Sequence, residues 1–331
     1  MILGKVLETW LDDKAARAAT AAAIRTEAGA IAAVPALVRL REAMKPAAAR
    51  GASAVLALAR DLIEDDSAIA GLLDRSIAAA SADPFWRPPL RASRNEVQDG
   101  LLLFSDPALT VQLAVMSADA LAIKRASDPA PPAISFTGQR SLFRFVKAGG
   151  AILSFWTGPF IGSDFRAAAA GRCRRRERRR LADGELIELD GRFETFIVDE
   201  AVSDLVYVAA ATPLEAGPVG VDYDPTTLAP IAASSTDDPG SRIQMMLALL
   251  RTMGRRDAAP LFAEMVKARH FHARWQAMRE LLALDPERAL PHLKRMAATD
   301  SHSEVREAAA ATLAAFFPNR AAEPEQLRCL S

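Results

Sequence analysis

The chain has 331 residues, half of them apolar, and its 41 basic and 41 acidic side chains cancel. That length predicts two or three domains with real cores. The charge balance excludes a global field favouring DNA or anionic membranes. Two cysteines, Cys173 and Cys329, are far apart in sequence, which excludes a disulfide framework and fits a reducing cytoplasm.

The start, Met-Ile-Leu-Gly-Lys-Val-Leu-Glu, carries charge too early for a secretory segment. No stretch reaches the roughly 18 uninterrupted apolar residues of a membrane span. Residues 1–92 read as a helical N-terminal region. Leu3, Val6, Leu7, Trp10 and Leu11 recur at helical spacing. Pro35 opens a second run through Leu37, Leu40 and Met44, which Pro46 is expected to close. Val55 to Ile63 gives a third helix. Ala68 to Ala80 gives a fourth, started by the cap signal Asp65-Asp66-Ser67. The prolines of Asp83-Pro-Phe-Trp-Arg-Pro-Pro89 then end helicity.

Residues 93–225 change period. Leu109, Val111, Leu113 and Val115 alternate with smaller or polar residues, and Phe143/Phe145 and Leu153/Phe155 repeat this around Gly149-Gly150. Asp190-Gly191 between two apolar runs predicts a tight hairpin. Six to nine strands in an antiparallel sandwich or barrel are expected. Residues 226–237 carry no period and read as a linker. Residues 238–318 are helical again, and 319–331 read as a flexible tail. The fold class is α+β multidomain: helical N-terminal region, antiparallel β domain, C-terminal α-solenoid.

The solenoid rests on Asp300-Ser-His-Ser-Glu-Val-Arg-Glu-Ala-Ala-Ala-Ala-Thr-Leu313. This resembles the second helix of a bacterial HEAT repeat, where a turn precedes Val-Arg and a small-residue stripe. The frame recurs: Pro260 falls on Pro291 and Met265 on Met296, and Asp238 and Ile243 fall two periods before Asp300 and Val305. The resemblance implies stacked helix pairs that present a surface to a protein or peptide partner. It implies no catalytic residues. Leu282 and Leu313 are expected in the core of the stack, and Ala309 against a neighbouring helix.

Glu177, with Gly184-Glu185 seven residues on, is similar to the first motif of the cupin family, a β-barrel. That motif places two histidines just before the Glu, where this chain has Ala170-Gly-Arg-Cys-Arg174, and no histidine precedes residue 270. The resemblance therefore implies a metal-free jelly-roll scaffold. His270 and His272, with Glu264 nearby, are the remaining metal candidates, although i and i+2 do not share a helix face. His292 and His302 lie one repeat later. Arg174, Arg175, Arg176, Arg178, Arg179 and Arg180 are candidate contacts to an anion or partner, or else a solvated edge strand. Cys173 among these arginines is a candidate thiolate that lacks a base. Asp222-Tyr-Asp224 before Pro225 reads as turn chemistry.

No catalytic residue, cofactor or phosphate loop is expected. The chain reads as a non-enzymatic adaptor for a protein or peptide, or an accessory subunit presenting a substrate to a separate modifying enzyme. The alternatives are a ligand-sensing β-barrel regulator and an enzyme with an unrecognised site near His270/His272. Nucleic acid and membrane are not expected partners, and the oligomeric state stays open.

Overall fold

The computed structural model describes residues 2–127, 132–166, 170–236 and 238–318. Helices α1 (Ile2–Asp12), α2 (Lys14–Ala32), α3 (Pro35–Ala48), α4 (Ala52–Ile63) and α5 (Asp66–Ala82) come first. Their starts follow local chemistry. Asp13 accepts the Ala15 and Ala16 amides ahead of α2, and Asp65 accepts the Ala68 amide ahead of α5. Pro46 does not close α3, as the sequence reading had it; the helix runs on to Ala48 with Pro46 inside its last turn. Near a helix end a proline removes one amide bond without stopping the remaining residues. The helix α2 was not separately anticipated, because its alanine-rich face has no period of large apolar residues.

Twelve strands follow: β1 (Arg91–Arg94), β2 (Gln98–Asp106), β3 (Leu109–Met116), β4 (Ile134–Phe136), β5 (Arg140–Lys147), β6 (Ile152–Thr157), β7 (Arg174–Arg180), β8 (Glu185–Asp190), β9 (Glu194–Glu200), β10 (Leu205–Thr212), β11 (Val219–Tyr223) and β12 (Pro230–Ser235). Among the described residues, those before β12 alone already exceed the six to nine expected. A short helix, α6 (Ala118–Ser127), interrupts them. The sheets run β1-β2-β3-β10-β5-β8, β7-β6-β9 and β12-β11-β4, and the pairs of known register are antiparallel.

Two expectations about this region are corrected. Asp190-Gly191 does not close a hairpin, since β8 and β9 lie in different sheets. Arg192 grips the Asp190 carboxylate through its amide, Nε and Nη2, fixing a corner between the sheets. The paired positive φ of a tight turn occurs at Gly149 (60°) and Gly150 (68°), where the Ala151 amide bonds to the Ala148 carbonyl. The supposed linker contains β12, which pairs along β11 from Ser235 to Pro230. Its Pro-Ile-Ala-Ala-Ser-Ser sequence has no alternation to betray a strand.

The contacts divide the chain into two compact units. One comprises Met1–Ile134, Gln139–Thr157 and Arg175–Ala216; the other comprises Ser135–Gly138, Gly158–Arg174 and Gly217–Ser331. In the first, α3, α4 and α5 lay Leu37, Leu40, Val55, Leu56 and Ile63 on Leu109, Val111, Leu142 and Val208 of the six-stranded sheet. A second core in this unit is aromatic. Phe143, Phe145, Phe155, Phe196 and Tyr207 lie with ring centroids 5.1–6.4 Å apart. The second unit holds the β12-β11-β4 sheet and the C-terminal helices. Among the described residues no single helix is long and apolar enough to cross a membrane; only α2 with α3 passes, as a pair bent by 58°. The expected tail and Cys329 lie outside the described residues.

Candidate functional site

Five helices build the C-terminal stack: α7 (Asp238–Thr252), α8 (Ala259–Met265), α9 (Phe271–Leu284), α10 (Pro286–Thr299) and α11 (Ser303–Phe316). Phe262, Ala277, Met278, Leu281, Leu293 and Ala309 are fully buried between them, with Val305 and Leu313 close behind. Full burial of an aliphatic side chain is worth about 1.5–3 kcal/mol, so these residues hold the helices together. Leu313 and Ala309 sit where expected. At Leu281-Leu282 the fully buried residue is Leu281, and Leu282 is only half-buried.

The repeat shows itself in two arginines. Arg274 in α9 donates to the carbonyls of Ala268 and Arg269, and Arg306 in α11 donates to those of Asp300 and Ser301. Each arginine thus closes the turn five and six residues before it. Arg274 also forks onto Asp300, with Nη2 2.6 Å from Oδ1 and Nε 2.8 Å from Oδ2. One repeat is thereby tied to the next by a pair with only 12% and 5% side-chain exposure. Burial would push the Asp300 carboxyl up, but the Arg274 fork and the His302 amide hold it below the usual carboxylate range.

Between the successive second helices, α9 and α11, lies a groove of about 450 Å³. Trp275, Leu282, Pro286, Thr312, Phe316 and Phe317 line it, with Arg279 at its side. Phe316 is 75% exposed. Met245, Met246 and Leu249 on α7, with Met253 just beyond its end, add further exposed apolar surface.

Residues 226–314 match the family model of the HEAT repeats. This similarity covers β12 and the stack that follows it. No curated protein matches the chain. Among solved structures, KdgF from Halomonas sp. is similar at 11% identity, covering 37% of this chain and 87% of that one, with a TM-score of 0.24. A cupin 2 conserved barrel domain protein from Rhodopseudomonas palustris is similar at 10% identity over 37% of this chain and 67% of that one, TM-score 0.23. The capsular polysaccharide assembling protein CapF from Staphylococcus aureus matches at 11% identity over 45% of this chain and 35% of its own, TM-score 0.24. At such scores nothing about activity is carried over.

The candidate metal ligands are not brought together as a set. His270 occupies the position just before α9, and its ring centroid is 5.6 Å from that of His272. The His272 Nε2 lies 3.1 Å from the Ser235 hydroxyl, whereas Glu264 is exposed on α8. His302 stacks on Phe271 at 3.8 Å, with its Nε2 3.3 Å from the Phe165 carbonyl. His292 lies on α10 beside Arg295. Among the described residues no three His, Cys, Asp or Glu side chains gather as a metal requires. A cavity of about 300 Å³ does open beside His272, Phe271, Gln276 and Ser235.

The arginine run forms β7, the outer strand of its sheet. Arg176 pairs with Glu194 at 3.1 Å, and Arg178 with Asp199 at 2.9 Å and Glu200 at 2.5 Å. Arg179 pairs with Glu185 at 2.5 Å and lies 4.8 Å over the Phe155 ring. Arg180 reaches the Gly150 carbonyl at 3.4 Å. Arg174 and Arg175 are exposed, and no described acidic side chain pairs with them. Arg176 and Arg178 are thus neutralised by β9 of their own sheet and Arg179 by Glu185 of β8 in the six-stranded sheet, whereas Arg174 and Arg175 stay exposed. Cys173 is buried, and burial pushes its thiol pKa up, the opposite of an activated nucleophile. Asp224 accepts the Thr226 and Thr227 amides, which is turn chemistry.

The groove was the feature least visible in the sequence. Its one signal was an aromatic pair, Phe316-Phe317, ending a helix whose other face was already accounted for.

Proposed function

We propose that this chain is a non-enzymatic adaptor that binds a protein or peptide through its HEAT-like stack. We further read it as an accessory subunit that presents its partner to a separate modifying enzyme in the bacterial cytoplasm. The observation that carries the reading is the Trp275–Phe316 groove. A large, solvent-exposed aromatic flanking an apolar cleft between repeats is what an interface uses as an anchor. HEAT-type stacks form extended binding surfaces by repeating such clefts.

The test is affinity capture from the native host with wild type and with Phe316→Asp. Phe316 is exposed, so the variant keeps its fold, which a thermal melt checks. A captured protein that is depleted about tenfold or more in the variant supports the reading. An identical set of captured proteins removes the groove from the account.

A further inference from the structure

We propose that a cavity between α8 and α10 binds a phosphate group, free or carried as a monoester on a partner. It lies on the side of the stack formed by the first helices of the two repeats, with a volume of about 420 Å³. Lys267, just beyond α8, and His292 and Arg295, on one face of α10, converge on it together with Ser301 from the following turn.

The charge count is what points to an anion. Arg274 also reaches this cavity, but it is held by Asp300, which is the acidic group lining it. No described acidic side chain pairs with Lys267 or with Arg295, so two cations face the cavity uncompensated. The Arg295 guanidinium instead lies 3.3 Å from His292 Nδ1, an arrangement that suits a neutral imidazole accepting from Arg295. Burial first, then Arg295 and Lys267, lower the pKa of His292, as crowding by like charges requires. With Nδ1 engaged, the neutral ring carries its proton on Nε2, a further donor.

A fork-shaped guanidinium, a mobile ammonium and an imidazole make a donor set suited to phosphate oxygens. A bare structural role accounts for less. Cations near helix ends complement the helix dipole, but a few tenths of a kcal/mol do not require two cations and a histidine in one cavity. In β7, by contrast, Arg176, Arg178 and Arg179 each pair with an acidic side chain.

Isothermal titration of the full chain tests the proposal. The probes are inorganic phosphate, a pooled phosphoserine peptide library, the same library unphosphorylated, and a single-stranded RNA. Saturable binding of phosphate or of the phosphoserine pool is expected, weakened about tenfold or more by Lys267→Gln and by Arg295→Gln, as for loss of a charged hydrogen bond. Arg242→Gln, on α7, should change nothing. Tighter binding of the phosphopeptides than of phosphate identifies the carried group as the source; equal binding identifies the free anion. No saturable binding of either phosphate or the phosphoserine pool, binding unchanged from wild type in both variants, equal binding of the phosphorylated and unphosphorylated pools, or a preference for RNA overturns the proposal. Phe316→Asp separates this from the adaptor reading, because it should abolish partner capture and leave phosphate binding intact.

Discussion

At the scale of single residues, the Arg274–Asp300 fork is the interaction most exposed to test. Removing one partner of a buried pair leaves an uncompensated charge, so Asp300→Asn should lower stability by about 3–5 kcal/mol. The pH dependence follows from the depressed carboxyl. Its folded pKa lies below its unfolded value of about 3.9, so its contribution is complete above that pH and is lost as pH falls through the folded value. Urea melts should show a wild-type advantage over Asp300→Asn that is constant near neutrality and shrinks below about pH 4. An advantage that grows on acidification would contradict the assignment. The sequence marked Asp300 only as a turn residue. Its fork to Arg274 spans 26 positions, and no local pattern reports a contact at that distance.

At the scale of elements, legibility followed side-chain size and charge. The helices α4 and α11 and the strand β3 were readable because their buried residues recur at period 3.6 or 2. The helix α2 and the strand β12 were not, because alanine and serine give almost no contrast between faces. The Asp190-Gly191 hairpin failed for another reason: turn chemistry fixes a local bend, but not which sheet each flanking strand joins. Leu313→Ala should cost about 2–4 kcal/mol through the cavity it leaves in the stack. Met246→Ala on the exposed side of α7 should cost less than about half a kcal/mol. Equal costs would mean that the stack's inner face has been misassigned. For β7, Arg176, Arg178 and Arg179 should tolerate replacement by Gln with a loss of no more than about 1 kcal/mol each, as for exposed pairs. Neither wild type nor this triple variant should shift single-stranded DNA on a native gel at low salt. A shift by wild type that the variant loses would make the run a binding site.

At the scale of the whole molecule, the order helix, sheet, helix was legible from the change of period, whereas the grouping of segments was not. Ser135–Gly138 and Gly158–Arg174 belong to the same compact unit as the C-terminal helices. The bonds that place them there, such as Arg166 to Glu307 at 2.8 Å, cross 141 positions. The confinement of all four histidines to the C-terminal region was readable from residue types alone. The apolar groove was not, because its walls come from α9 and α11, two helices separated in sequence by the whole of α10.

The central claim is that the α9–α11 groove is where a partner binds. Hydrogen–deuterium exchange of the full chain, alone and with the protein it captures from its host, tests this most directly. New protection is predicted over residues 275–286 and 312–317, with residues 174–180 unchanged. Protection confined to β7, or spread evenly with none at the groove, would contradict the account.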